Sequence, residues 1–218
     1  MLKDVVLTQK NELERTLTES YIERDIQPFS LENNLIKVIM GPRRAGKSFY
    51  CLHALSRLGN FGYVNFDDEA LTNLEDYQDI VSEIKQVYKD PQILFFDEIQ
   101  NLPRWELFVN RLQRQGYNIA VTGSNSKLLS KELATHLTGR HIPTTVLTFS
   151  FKEYLKAKKT DLESLTTQER EEMLLEYLRS GGYPETVLKK LNATQYLSIL
   201  FDSILSLYNI ESKSTLRY

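Results

Sequence analysis

GPRRAGKS occupies residues 41–48. It matches Gly-x-x-x-x-Gly-Lys-Ser/Thr at every fixed position, the pattern of a phosphate-binding P-loop. Gly41 and Gly46 let the backbone curl so that its N–H groups point at phosphate oxygens. A helix starting behind the loop adds its positive N-terminal end. Lys47 is placed to reach the β and γ phosphates, and the Ser48 hydroxyl to ligate Mg²⁺. The expected nucleotide contacts run through Gly41, Pro42, Arg43, Arg44, Ala45, Gly46, Lys47, Ser48 and Phe49. Chance yields such a match in about one unrelated chain in a hundred of this length.

The flanks agree with the loop. An apolar run over 35–40 ends at Gly41 and reads as a buried parallel strand. A helix is predicted over 47–58, stopped by Gly59 and Asn60. Further strands are predicted over 61–66, 93–96, 117–122 and 142–148, with helical stretches between most of them. Strand–helix alternation of this kind predicts an α/β fold, a parallel sheet with helices on both faces. Upstream, 4–26 reads as a helix with Leu7, Leu13, Leu17 and Tyr21 on one face. From about Ser150 strand signals cease, and the charged FKEYLKAKKTDLESLTTQEREEMLLEYL precedes the GGYP break at 181–184. A last helix is predicted over 193–207. Three segments follow: an N-terminal helical segment over 1–32, a P-loop core over 33–149 and a helical appendage over 150–218.

ILFFDE, residues 93–98, supplies the acidic partner of the loop. Four apolar residues make a central strand, and Asp97 at its end is placed to hold the Mg²⁺ shell. Glu98 adds a second carboxylate that can take a proton from an attacking water. A nucleotide kinase has no need of that group, and neither a guanine-reading NKxD nor an LSGGQ-like signature is present. The next strand ends in Thr122-Gly123-Ser124-Asn125. Either Ser124 or Asn125 can report the γ-phosphate, or both are turn formers. Asn65 is a candidate to hold Glu98 off the water, with a turn residue as the competing reading.

Apolar residues make up 41% of 218 and charged residues 26%, ordinary for a globular protein, and the net charge is −2. No bulk positive field draws the chain to nucleic acid. Arg43, Arg44, Arg111 and Arg114 are the candidates for a local basic face, the latter two equally a solvated helix face. One cysteine, Cys51, cannot form an internal disulfide, which suits a reducing, cytoplasmic setting. His53, His136 and His141 have no cysteine partners at metal-ligand spacing. No apolar run approaches membrane-spanning length, and the charged N-terminus has no signal core.

GPRRAGKS, YVNFDDE, LFFDEIQNLPRW, VTGSNSKLLSKEL, LTGR, FSFKEYL and GGYPE occur in an order that resembles AAA+ family ATPases of archaea and bacteria. The resemblance covers about residues 20–190, and TGSNS…GR and FKEYL…GGYPE are its most specific parts. It implies ATP and Mg²⁺ as ligands, the additional-strand type of P-loop NTPase, and a sheet in the order 5-1-4-3-2. It also implies a further C-terminal domain, of which 150–218 is the expected start. It implies that Arg140, in LTGR, reaches a neighbouring subunit of a homo-oligomer and stabilises γ-phosphate charge there. A helix cap, or an ion pair with Glu132, is the competing role for Arg140. The expected function is Mg-dependent ATP binding and hydrolysis driving a conformational change on a DNA or protein target. The alternative is a nucleotide-dependent signalling or scaffold switch with little turnover.

Overall fold

The computed structural model describes residues 2–27, 30–31, 33–72, 74, 76–124, 137–189 and 191–215, with 206–215 as backbone alone. The chain divides into two compact units, Met1–Leu147 and Thr148–Tyr218. In the first unit the strands are β1 (Ile36–Met40), β2 (Phe61–Asn65), β3 (Ile93–Asp97), β4 (Asn118–Gly123) and β5 (His141–Thr145). All neighbours pair in parallel, in the order β2-β3-β4-β1-β5, which is the implied 5-1-4-3-2 read from the other edge. The three central strands are apolar and buried along nearly their whole length, as helices on both faces require. Pro143, which has no N–H to donate, stands on β5 at the sheet edge, where one lost donor is tolerated.

The helices of this unit are α1 (Leu2–Thr16), α2 (Lys47–Ser56), α3 (Tyr77–Val87) and α4 (Trp105–Arg114). Trp105, Phe95 and Phe96 are fully buried, with Phe108 5.3 Å from Phe96 between ring centroids. Such aromatic burial dominates a core of this size. The N-terminal helix is shorter than the 4–26 the sequence suggests, ending at Thr16. Its inward face is Val6, Gln9 and Leu13, while Leu7 is exposed. The physical reason lies in Gln9. Its amide donates to the Asn65 carbonyl (3.1 Å) and accepts from the Asn65 N–H (2.9 Å), so the helix turns this polar residue inward to satisfy the edge strand β2.

The second unit contains α5 (Phe151–Ala157), α6 (Thr167–Ser180), α7 (Pro184–Leu188) and α8 (Ala193–Thr215). Ser150 with Glu153 and Thr166 with Glu169 form capping boxes that start α5 and α6. α6 ends at Gly181, and the Gly182 carbonyl accepts from the Phe149 N–H at 2.7 Å. Tyr177 donates its hydroxyl to the Phe149 carbonyl at 2.9 Å. GGYPE is thus a clasp within the helical unit, with Pro184 opening α7.

Candidate functional site

Parallel strands bring the C-terminal ends of β1, β4, β3 and β2 to one edge of the sheet. The P-loop leaves β1 there. A Cβ on Gly41 would stand 1.9 Å from the Val146 carbonyl oxygen, so only glycine lets the loop pass the chain that leaves β5. Gly46 caps α2 in the left-handed region, at φ 89, so the loop runs directly into the helix N-terminus. Arg24 is buried and spans the loop from outside, donating to the carbonyls of Ala45 (3.1 Å) and Leu147 (2.6 Å). Pro42, Arg43 and Arg44 are exposed around the loop, and Phe49 packs against His53 one turn into α2.

Lys47 is buried, and its Nζ donates to the Pro42 carbonyl at 3.1 Å. Burial pulls its pKa down, while the Glu98 and Asp97 carboxylates oppose that shift. The Ser48 hydroxyl donates to Asp97 Oδ1 at 2.9 Å, which joins the loop to the acidic strand end. Asp97 also accepts from the Thr122 and Tyr63 hydroxyls. Burial pushes its carboxyl above the ordinary range, and the Thr122 and Ser48 hydrogen bonds only partly offset this. A cation at this point would restore the balance by stabilising the carboxylate.

Glu98 turns away from the strand in the left-handed region, at φ 48 and ψ 46, a conformation that costs a non-glycine residue about 1 kcal/mol. Its N–H donates to Thr122 Oγ1 at 3.0 Å. Its Oε2 accepts from Ser124 Oγ (2.9 Å) and from Gln100 Nε2 (2.6 Å). Thr122 therefore engages both acidic residues, Asp97 through its carboxylate and Glu98 through its backbone N–H. Asn65 does not hold Glu98: its Oδ1 accepts from the Asp67 N–H at 2.9 Å, as a turn residue does. Asn125, the alternative to Ser124, lies outside the described residues, as do Glu132 and His136.

A family model described as AAA domain matches residues 33–155, more than half of the chain. The chain belongs to this AAA family. An uncharacterised Methanocaldococcus jannaschii protein is 39% identical to it over 214 residues, covering 92% of this chain and 48% of that protein. One from Haemophilus influenzae is 35% identical over 200 residues, covering 85% and 48%. The chain spans about half the length of the curated relatives it matches. Among solved structures, C. elegans PCH-2 shares the fold with a TM-score of 0.51 at 16% identity, over 89% of this chain and 62% of that one.

The sequence reading of this AAA domain missed Thr122, Tyr63, Gln100 and Arg24. Thr122 carried a signal, being polar inside the apolar run NIAVTG. Tyr63 and Arg24 carried none, because only the pairing of distant segments aims them at the site, and Gln100 is turned toward Glu98 by the local conformation of the turn. Arg140 stands apart from these residues. Its carbonyl accepts from the Ile36 N–H, at the start of β1, and its side chain is exposed. The P-loop begins after Met40, four strand residues further on, about 13 Å away at ~3.3 Å per residue. Arg111 and Arg114 lie in the last turn of α4, with the Arg111 guanidinium 5.8 Å from the Phe108 ring. No helix among the described residues is long and apolar enough to cross a membrane.

Proposed function

We propose that this chain binds ATP with Mg²⁺ at the P-loop and hydrolyses it, and that turnover drives a conformational change on a DNA or protein target. The observation that carries the reading is the 2.9 Å hydrogen bond from Ser48 to Asp97. It brings a hydroxyl and a carboxylate, the hard oxygen donors that Mg²⁺ prefers, to the mouth of the loop beside Lys47. Ser48 would ligate the ion and Asp97 would hold its water shell. Mg²⁺ held there would supply positive charge to stabilise the phosphates. Lys47 moves its ammonium from the Pro42 carbonyl to those phosphates. Glu98 accepts a proton from water as the water oxygen bonds to the γ-phosphorus. The bond to the β–γ bridging oxygen breaks, releasing ADP and phosphate.

Arg140 acts on a neighbouring copy's nucleotide in this reading, since its position beside Ile36 keeps it from its own loop. Turnover then depends on protein concentration. The buried Cys51, whose thiol burial pushes up, suits a reducing cytoplasm.

Steady-state phosphate release with and without Mg²⁺, beside ATP binding, tests the reading. Release that requires Mg²⁺ and is lost in Lys47→Ala, together with ATP affinity, is expected. ATP binding without release would assign the chain to a nucleotide-dependent switch. ATP affinity unchanged in Lys47→Ala would overturn the P-loop assignment.

A further inference from the structure

The turn after β3 contains a group that the Mg²⁺ and phosphate ligands do not explain. Gln100 is half-buried in the single helical turn Ile99–Asn101 and reaches back to its neighbour two residues before it. Its Nε2 donates to Glu98 Oε2 at 2.6 Å, the same oxygen that accepts from Ser124. Glu98 Oε1 receives no donor among the described residues. The Gln100 Oε1 atom is buried without a hydrogen-bond partner. A side chain that leaves its own acceptor unpaired, at a cost of about 1–3 kcal/mol for such a group, is held by its other end. The carboxylate dictates which end, because the amide oxygen would repel Glu98 Oε2 and only the NH₂ can face it.

We propose that Gln100 is a positioning residue for hydrolysis. With Ser124 it pins Oε2 of Glu98 from two sides and thereby presents Oε1 to the water. The strained backbone of Glu98 makes the pin necessary. At φ 48 the residue leaves the path of the strand, and a three-carbon acid side chain with three free torsions would otherwise spend most of its time in unproductive rotamers. The neighbouring Asn101 anchors the turn itself, donating to the Phe66 carbonyl (3.3 Å) and to Asp67 (2.9 Å), so Gln100 is free to serve Glu98.

The inference rests on the assignment of Glu98 as the base, and the experiment separates the two. Turnover and affinity for a non-hydrolysable ATP analogue are measured for the full chain and for Gln100→Ala, Gln100→Glu, Glu98→Gln and the double variant Glu98→Gln/Gln100→Ala. Gln100→Ala should lower kcat about tenfold or more and leave analogue affinity within about twofold, since the group acts on the base and not on the nucleotide. In the Glu98→Gln background the same substitution should have no further effect, because residues acting through one another are not additive. Gln100→Glu replaces the donor with a second carboxylate. Its kcat should fall further at neutral pH and recover as the pH drops toward 5, where a protonated carboxyl at that position donates again. A kcat within about twofold of wild type for Gln100→Ala overturns the proposal, as does an equal loss in both backgrounds. Wild-type turnover in Glu98→Gln would overturn the base assignment itself, and the positioning role with it.

Discussion

At the end of β3 the left-handed backbone position is held by Glu98, at φ 48, and at the end of α6 by Gly181 and Gly182, at φ 67 and 65. Both are sharp turns in motifs that mark the family resemblance. In the helical unit the turn uses its polar groups on itself. Gly182 bonds to Phe149, Thr186 donates to the Tyr183 carbonyl (2.8 Å), and a Cβ on Gly182 would stand 2.5 Å from the Phe149 carbonyl oxygen. Glycine is the residue such a position selects. At the β3 turn a strained glutamate stands instead, held by Thr122, Ser124 and Gln100. At the β3 turn the left-handed position carries a side chain that the site uses, whereas at the end of α6 it carries none.

The largest effect expected from this contrast is on turnover. Glu98→Gln should retain ATP and lose about 10²–10⁴-fold in phosphate release, the usual contribution of a general base. Release at the wild-type rate would make the β3 turn as structural as the clasp. Next comes Gly182→Ala, which should weaken the helical unit by about 2 kcal/mol or more, since a Cβ meets both the left-handed penalty and the Phe149 carbonyl. Faster hydrogen exchange across α6 and α7, with ATP affinity unchanged, is the readout; unaltered exchange would break the clasp assignment. Glu98→Gly should do the reverse, raising the stability of the first unit by about 1 kcal/mol while abolishing turnover. A fall in thermal stability would show that the turn is not strained.

The smallest effect concerns Asp97. Burial holds its carboxyl above the ordinary value of 3.8, so the folded chain binds that proton more tightly than the unfolded chain does. Ionising it therefore costs stability, and the cost grows as pH rises above the ordinary value. In Mg-free buffer Asp97→Asn should therefore gain stability relative to wild type as the pH rises above 3.8. Added Mg²⁺ should reverse the order. An advantage over wild type no larger at pH 7 than at pH 4 would show that hydroxyl donors, not burial, govern this carboxylate.

Much of this was legible in residues 35–48 and 93–98, where an apolar run followed by glycines or by Asp-Glu admits few structures. The strands were placed within a few residues because buried parallel strands are continuous apolar runs. The N-terminal helix was read too long because a helical period in polar sequence carries no stop signal until tertiary packing supplies one. Strand-end position alone left Asn65 between a contact to Glu98 and a turn role, and the structure gives the turn role, with the side chain taken up by Asp67.

Sequence alone determined the phosphate-binding loop, the acidic pair and the parallel sheet, because each depends on local geometry that few residue patterns satisfy. Tertiary structure decided which hydroxyls and amides surround those groups. Thr122 and Ser124 approach from β4, Tyr63 from β2 and Arg24 from the segment before β1. A hydrogen bond is made over about 3 Å, so it is settled only once strands distant in the chain have found their register.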